Sequence, residues 1–570
     1  MMDERYEGKY SFSRKTCILT SVCFCWSPIA FIVVFVLFLF YGGLLESSFM
    51  CISVTCIDVA SYLLLSMNKS INPCENFYSY ACGNYFINRE FQRGISNKII
   101  EQQKTVDNKL IDLFNNNMID SILPVSQKAL SYYKFCFRSD ERNETKYTNY
   151  LINNLGSMPC LKNWKKTGFL FHSVSLATRL SKHGLFEFGV TLNEKTKTEN
   201  IMMIKRVPID DVINNTVSLL ASKCSEELGI FEIKKLKMLD KAVNFEKEKH
   251  PYDLLEVITV KEFSERTGFN EWIEFIKIVM KDVLRTVTEN DLIAVYNINY
   301  FINLFNIIKN ENIDERTISN YVVYQAITYF NNYMDKYGLN KKYSTANKCI
   351  SLLKDLMPLY VDHLYTYKIE NQLNIIKNMI EFIKDALKNL ISNASWIDET
   401  ARMSLIKKVR KMKFLSGYNP KVRDIQYVNE YYKFIPKPTN DSNLNVLYIS
   451  FIRNFIRFSQ MNALVNRTRW PDYSITNVRI YKEEKENVIV IPVSMLQNPL
   501  FETDVPRYMN YASLGVLISR EIILVLFEKG STRDKNGVLR DWWTNKSKEQ
   551  FRMKLVFYEI QFIKHCCRKG

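Results

Sequence analysis

Histidine is scarce in this sequence, with five residues in 570. No two of them stand three or four positions apart, so no helix carries two imidazoles on one face. Helical zinc sites usually depend on such a pair. The one local cluster of donors is His565-Cys566-Cys567, and adjacent residues near a chain end rarely converge on one ion. The sequence therefore predicts no metal site.

Low-complexity tracts, internal repeats and nucleic-acid-binding signatures are also missing. The net charge is +17, but the Lys and Arg residues are scattered through the chain. This pattern predicts a solvated basic surface that attracts acidic partners, and it argues against nucleic acid as a partner. A content of 47% hydrophobic and 24% charged residues is typical of a globular protein. At this length we expect two or more domains.

Residues 17–45 contain no charged side chain, and this apolar run is long enough to cross a bilayer, which takes about 20 residues. We predict a signal anchor at 23–45 after a cytoplasmic tail at 1–22. A cleaved signal peptide, the alternative, has a shorter apolar core and a small-residue cleavage site. Arg14 and Lys15 precede the run, which predicts type II topology in the plasma membrane with an extracellular ectodomain.

The predicted outer side carries glycosylation sequons and cysteines. The sequons are at Asn68, Asn143, Asn214, Asn393, Asn440, Asn466 and Asn545. In an oxidising compartment we expect disulfides among the ten cysteines that follow the anchor, which are Cys51, Cys56, Cys74, Cys82, Cys136, Cys160, Cys224, Cys349, Cys566 and Cys567.

The spacing of apolar residues is mainly helical from about residue 86 to 430. Ile375–Ile391 has apolar residues at i, i+3, i+4 and i+7. A further helix is expected to begin at the N-cap Asp398 and to stop at Gly417.

The C-terminal third contains a linker, a strand and a buried helix. Residues 435–443 are rich in Pro, Asn and Ser and predict a loop, and Asn487–Pro492 predicts a strand. Residues 510–529 are largely apolar and predict a buried helix that ends before Gly530. Arg520 and Glu521 interrupt this apolar run. Because neighbours i and i+1 do not face each other on a helix, we expect each of them to pair with another group.

Five segments resemble motifs of the neprilysin family of membrane zinc endopeptidases, in the family's order. They are CISVTC, NPCENFYSYACGNYF, SWIDETARMSLIKKV, IPVSMLQNPLF, and NYASLGVLISREI with NGVLRDWW. The resemblance implies a mainly α ectodomain of two lobes around a cavity, with a small α/β peptidase lobe that is thermolysin-like and incomplete at its C-terminal end. The implied regions are a helical one at 46–434, a connecting one at 435–486 and a degenerate metallopeptidase region at 487–570.

The family's catalytic signature is H-E-x-x-H on a buried helix, where two histidines bind zinc and the glutamate activates water. By the resemblance, Arg520 and Leu524 occupy the histidine positions, and Glu521 keeps the position of the general base. A guanidinium and a leucine side chain offer no lone pair to a metal. The aspartate that orients a zinc-binding histidine maps to Phe527.

Other parts of the family site also differ. The Asn-Ala pair that binds the substrate backbone maps to Arg479 and Ile480, or to Asn477 and Val478 after a local shift. The third zinc ligand is a glutamate followed by an aspartate four positions later. None of Glu528, Glu549 and Glu559 has that spacing, so we expect this ligand to be missing.

The resemblance also implies disulfide pairs, Cys136 with Cys349 and Cys51 with Cys56. The family partners of Cys74 and Cys82 are not found, and whether Cys566 and Cys567 replace them is left open, as are the partners of Cys160 and Cys224.

The resemblance therefore predicts a catalytically inactive metallopeptidase homologue without a cofactor, which binds an extracellular peptide or an active paralogue. Two alternatives are kept. One is a zinc-dependent endopeptidase whose site is completed by unseen ligands, for example across a dimer. The other is a truncated, non-functional product.

Overall fold

The computed structural model describes residues 53–85, 97–137, 152–207, 230–244, 255–366 and 373–567, with short gaps inside several of these ranges. The predicted tail and anchor lie outside the described residues. So do several cysteines and sequons singled out above, namely Cys51, Cys160, Cys224, Asn143, Asn214, Asn440 and Asn466.

The structure is mainly helical. In chain order the helices are α1 (Val54–Ser66), α2 (Phe77–Cys82), α3 (Lys98–Asn115), α4 (Pro124–Phe137), α5 (His172–Leu180), α6 (Ile230–Asn244), α7 (Val260–Thr267), α8 (Trp272–Val279), α9 (Ile298–Asn310), α10 (Glu315–Lys336), α11 (Ala346–Leu356), α12 (Pro358–Thr366), α13 (Leu373–Asn393), α14 (Glu399–Lys411), α15 (Ile425–Tyr431), α16 (Arg507–Asn510), α17 (Val516–Phe527) and α18 (Asn545–Cys567). A π-helical turn, Tyr511–Gly515, joins α16 to α17.

The strands form two small mixed sheets. They are β1 (Glu187–Leu192), β2 (Asn200–Lys205), β3 (Leu255–Thr259), β4 (Leu292–Tyr296), β5 (Lys413–Gly417), β6 (Tyr481–Glu483) and β7 (Val488–Pro492). One sheet has the order β1-β2-β4-β3, with β2 and β4 parallel. The other has the order β5-β7-β6, where β5 is parallel and β6 antiparallel to β7.

The chain divides into two compact units. The smaller one contains the described residues up to 85 together with Glu502–Asn510. Within it, Ser53 caps α1 by accepting a hydrogen bond from the backbone N–H of Cys56 at 3.1 Å. Asn76 caps α2 in the same way. The larger unit contains Asn97–Phe501 and the residues from Tyr511 onward, including both sheets.

An aromatic cluster forms part of the core of the larger unit. Trp272 on α8 is fully buried, and its ring meets Phe171 and Phe186 edge to face, with centroids 5.8 and 5.6 Å away. Such edge-to-face pairs add to the stabilisation that burial of apolar surface provides. The first sheet therefore packs against helices through large rings contributed by α8 and the segments around α5.

Several sequence predictions are confirmed. Helix α13 covers the predicted Ile375–Ile391, and β7 covers the predicted strand with a one-residue difference at its start. Asp398 caps α14 by accepting a hydrogen bond from the N–H of Ala401 at 3.0 Å.

Two predictions about secondary structure are wrong. The helix after Asp398 ends at Lys411, and Lys413–Gly417 forms β5, because it pairs with β7 in the register Phe414 to Ile489. The region predicted to be helical up to residue 430 contains the four-stranded sheet β1 to β4. In both cases pairing with a distant segment overrides the local pattern.

Among the described residues, the helix long and apolar enough to cross a membrane is the continuous segment Arg507–Phe527. Its second half packs into the larger unit through the buried side chains of Ile518, Ile522 and Leu526. This burial is typical of a core helix. The expected anchor at 23–45 lies outside the described residues and stays a prediction.

The structure joins Cys136 and Cys349 in a disulfide, with 5.5 Å between the Cα atoms. This is the long-range pair that the resemblance implies. Cys56 is disulfide-bonded, whereas its expected partner Cys51 is outside the described residues. The thiols of Cys74 and Cys82 are free. Of the described sequons, Asn393 and Asn545 are exposed and Asn68 is half-buried.

Candidate functional site

A cavity of about 730 Å³ lies between the edge strand β6 and helix α17. One wall consists of the chain from Val478 to Glu483, and the opposite wall consists of α17. The complete lining is Ile99, Val478, Arg479, Ile480, Tyr481, Lys482, Glu483, Lys485, Met495, Leu517, Arg520, Glu521 and Leu524. The cavity thus brings together six of the residues that the sequence singled out, which are Val478, Arg479, Ile480, Arg520, Glu521 and Leu524.

The α17 wall is one face of a helix. Leu517, Arg520, Glu521 and Leu524 follow the spacing i, i+3, i+4 and i+7, which places them on the same side. The buried residues of α17, such as Ile518 and Ile522, point into the core. The positions assigned to the two zinc-binding histidines and to the general base therefore face the cavity together.

Arg520 and Glu521 form an ion pair with each other. The distance between Nη1 of Arg520 and Oε1 of Glu521 is 3.2 Å. The expectation that each would pair with a different group is wrong, because the two side chains are long enough to meet. The Arg520 side chain is 68% exposed and that of Glu521 is 14% exposed, so the glutamate lies on the cavity wall below the guanidinium.

The residues of this cavity do not fit a zinc ion. Arg520 carries a permanent positive charge and no free lone pair, and Leu524 has no donor atom. Glu521 is the only one of these three that could bind a metal, and its carboxylate contacts a cation already. Within the described part of the chain, no group of three His, Cys, Asp or Glu side chains is arranged to hold a metal ion.

Phe527 is part of an aromatic cluster at the C-terminal end of α17. Its ring centroid lies 5.4 Å from that of Trp543, 5.1 Å from that of Phe551 and 6.2 Å from that of Trp396. It does not line the cavity. The residue at the position of the orienting aspartate therefore joins α17 to α18 by packing.

Arg479 and Ile480, in the segment before β6, differ in their exposure to solvent. Arg479 is exposed, whereas Ile480 is 7% exposed. In the alternative pair, the carbonyl of Asn477 accepts a hydrogen bond from Ser494 Oγ at 3.1 Å. The N–H of Val478 donates to the side chain of Gln103 at 2.8 Å. Hydrogen bonds within the protein engage the backbone of both pairs, since the N–H of Arg479 donates to the carbonyl of Asn477 at 2.8 Å. Of the four residues, Arg479 has the exposed side chain and is the best placed for contact with a ligand.

A stack of side chains supports Arg479. The rings of Tyr473 and Tyr481 are nearly parallel, with centroids 3.6 Å apart. The guanidinium carbon of Arg479 lies 5.6 Å from the centroid of Tyr481. This geometry is typical of a cation–π contact and restricts the conformations of the arginine.

A buried polar network holds the β6 wall, and the sequence did not predict it. Gln103 on α3 donates from Nε2 to the carbonyl of Thr476 at 3.1 Å and accepts from Val478 N–H. The side-chain amide of Gln103 thus makes the two hydrogen bonds that the backbone of a neighbouring strand would make. Gln102 on the same helix donates to the carbonyl of Ser494 at 3.0 Å. Partners this far apart in sequence leave no local pattern.

Asp362 lies at the centre of this network. Its Oδ1 accepts hydrogen bonds from Ser474 Oγ at 2.6 Å and from the N–H of Ile475 at 3.0 Å. Burial raises the pKa of Asp362 to about 7, against the opposing influence of these donors and of Lys354. Lys354 itself forms a buried ion pair with Asp107.

A second network fixes the end of the cavity near Lys485. Arg533 and Glu194 form a buried ion pair, with 2.8 Å between Nη1 and Oε2. Lys485 approaches the same carboxylate at 3.7 Å. The loop that carries Arg533 contacts the backbone of Lys485 at Gly537. A Cβ added to Gly537 would lie 2.0 Å from the carbonyl oxygen of Lys485, and the φ angle of Gly537 is +78°. Only glycine fits this position.

The sequence belongs to a known peptidase family. Sequence models of peptidase family M13 match residues 73–419 and 480–570, which together are more than half of the chain. The chain therefore belongs to peptidase family M13.

Curated relatives and solved structures agree with this assignment. The chain is 22% identical to neprilysin-3 of Drosophila melanogaster over 88% of its own length and 70% of that protein. It is 23% identical to endothelin-converting enzyme 1 of Homo sapiens over 89% of its own length and 71% of that protein. The fold is similar to that of a Mycobacterium tuberculosis zinc metalloprotease in complex with an inhibitor, with a TM-score of 0.68 and 16% identity. The similarity covers 86% of this chain and 78% of that one. It is also similar to a Haemonchus galactose-containing glycoprotein complex, with a TM-score of 0.66, 16% identity and coverage of 89% and 80%.

Proposed function

We propose that this member of peptidase family M13 is a catalytically inactive homologue that binds extracellular peptides in the cavity between β6 and α17. The observation that carries the proposal is the side-chain set on the α17 wall. Arg520 and Leu524 occupy the face on which a metallopeptidase of this family needs two metal ligands, and Glu521 is paired with Arg520. Without a metal-bound water, a lone glutamate faces water of nearly ordinary pKa.

Binding is the activity that the remaining geometry supports. The cavity volume of about 730 Å³ is within the range of ligand pockets. Strand β6 is at the edge of its sheet, and an edge strand can bind an extended peptide as an additional strand. We further propose that the protein is anchored in the plasma membrane with type II topology, and that an active paralogue is a second type of partner. The uncharged run at 17–45 and the preceding Arg14 and Lys15 support the topology.

The test uses the full-length protein in detergent and a library of fluorescent peptides. We expect saturable binding and no cleavage that a chelator inhibits. Tryptophan is larger than leucine and would project further into the cavity, so Leu524→Trp should weaken binding. Val516→Trp, at an exposed position of the same helix outside the cavity lining, is the matched control and should bind normally.

The alternative is a zinc-dependent endopeptidase, and it rests on one observation, the presence of Glu521 in the cavity lining. In that case, cleavage would be sensitive to chelators and abolished by Glu521→Gln, whereas Glu399→Gln at an exposed position of α14 would have no effect. That combination of results would overturn the proposal.

A further inference from the structure

The cavity has an excess of positive charge. Its lining includes four cationic side chains, those of Arg479, Lys482, Lys485 and Arg520, and two carboxylates, those of Glu483 and Glu521. The lining thus has two more positive than negative charges at neutral pH. A concave site with walls of low dielectric constant concentrates such a field, which favours ligands of the opposite sign.

Arg479 is held ready to bind an anion. Its guanidinium carbon lies 5.6 Å from the centroid of the Tyr481 ring, and the ring of Tyr473 stacks on that of Tyr481. A cation–π contact engages the ring and leaves guanidinium N–H groups able to donate to a ligand. A planar fork of this kind matches a carboxylate, and little side-chain entropy is lost on binding because the stack already restricts the arginine.

Arg520 supplies a second cation from the opposite wall. Its side chain is 68% exposed, and its one described ion-pair contact is with Glu521 through Nη1. A guanidinium has five N–H donors, so Arg520 can hold Glu521 and still donate to a ligand. The two arginines come from different elements, the segment before β6 and helix α17, which form the two walls of the cavity.

We propose that the ligand of this cavity is a peptide bearing a carboxylate, which binds between Arg479 and Arg520. This inference rests on the proposed function, since it names the class of peptide that the same site takes. The peptide lies extended along the edge of β6, and its carboxylate is held by charge-assisted hydrogen bonds from the two guanidinium groups. The carboxylate belongs to an acidic side chain or to the peptide C-terminus.

The experiment compares two pairs of peptides by fluorescence anisotropy with the full-length protein in detergent, and the two members of each pair differ only in charge. Two have a central Glu or a central Gln, each with an amidated C-terminus. The other two have the central Gln with a free or an amidated C-terminus and a shifted register, so that each chain end can reach the cavity. We expect a carboxylate-bearing peptide to bind at least 10-fold more tightly than its neutral match, and the preference to weaken at high salt. Preference for the Glu peptide identifies a side chain as the source, and preference for the free C-terminus identifies the chain end.

Two single substitutions locate the effect. Arg479→Gln and Arg520→Gln should each weaken binding of the preferred acidic peptide about 10-fold, a typical loss for one charge-assisted contact, and weaken the neutral peptide much less. Arg410→Gln, at an exposed position of α14 outside the cavity lining, is the matched control and should change neither. Thermal unfolding of each variant checks that it is folded.

The outcomes separate this inference from the proposed function. If acidic and neutral peptides bind equally, the inference fails and peptide binding stands. If the acidic preference persists in both arginine variants, the inference also fails, because the selectivity then comes from elsewhere. If no peptide binds, both proposals fail together.

Discussion

The guanidinium of Arg520 donates to the carboxylate of Glu521 across 3.2 Å, on the wall of the cavity. In a peptidase of this family the corresponding glutamate activates a zinc-bound water. Here a fixed cation next to the glutamate occupies one of its oxygens. The pair therefore places a cation against the glutamate that the resemblance assigns as the general base.

Phe527→Asp introduces the residue type that the resemblance assigns to this position and should destabilise the protein. The carboxylate would be placed among the rings of Trp543, Phe551 and Trp396. Phe527 is half-buried, so the loss of ring contacts and the partial desolvation of a charge are expected to cost about 1 to 3 kcal/mol, which chemical denaturation can measure. Phe382→Asp at an exposed position of α13 is the control. Equal stability of the two variants would contradict the packing role of Phe527.

Arg533→Met should show how much the buried ion pair at the end of the cavity contributes to the free energy of unfolding. Removing one partner leaves Glu194 charged in a site where it is 5% exposed, and breaking such a pair costs about 3 to 5 kcal/mol. The double variant with Glu194→Gln should recover part of this loss, by about 1 to 3 kcal/mol.

The matched control for this pair is Lys433→Met. Lys433 pairs with Glu430 on the surface, where both side chains are about 70% exposed, so its loss should cost less than about 1 kcal/mol. If Arg533→Met unfolds at the same denaturant concentration as this control, the pair contributes nothing to stability.

Asp362 should make stability depend on pH. Its folded pKa of about 7 is above the ordinary value of 3.8, so between these two values the folded protein holds a proton that the unfolded chain has released. The contribution of this residue is therefore present at low pH and is lost as pH rises through about 7, with a slope of at most about 1.4 kcal/mol per pH unit. Asp362→Asn keeps the Oδ1 acceptor for Ser474 and Ile475. It should flatten the dependence of the free energy of unfolding between pH 5 and 8; an unchanged slope would contradict the assignment.

Gln103→Leu should weaken peptide binding without a direct contact to the ligand. The substitution removes the hydrogen bonds to Thr476 and Val478 that hold the β6 wall, at a cost of about 1 to 3 kcal/mol. We expect Gln103→Leu to lose more peptide affinity than the control Lys104→Ala, which changes an exposed residue next to it on α3. If affinity is unchanged while stability falls, Gln103 supports the fold and does not position the site.

Local patterns predicted the parts of this structure that local interactions determine. The cap at Asp398, helix α13 and strand β7 are of this kind. Strand β2 was missed because its run NIMMIK is buried on both faces, with the pattern of a buried helix segment. Strand β5 was taken as helix because its pairing with β7 lies far along the chain.

The sequence could predict which residues line the candidate site but not the contacts that they make. Spacing on one helix face places Arg520, Glu521 and Leu524 together, and the resemblance adds Arg479 and Ile480. The pairing of Arg520 with Glu521 depends on the rotamer of a long side chain. The support of Arg479 by Tyr481 and the Gln103 contacts depend on tertiary packing, which no sequence spacing encodes.

The most direct test of the account is the zinc content of the full-length protein, purified as a monodisperse species without added metal and measured by mass spectrometry of the metal. With Arg520 and Leu524 on the cavity wall in place of metal ligands, we predict close to zero zinc per chain. A value close to one zinc per chain would contradict the account and establish that the chain holds a metal centre.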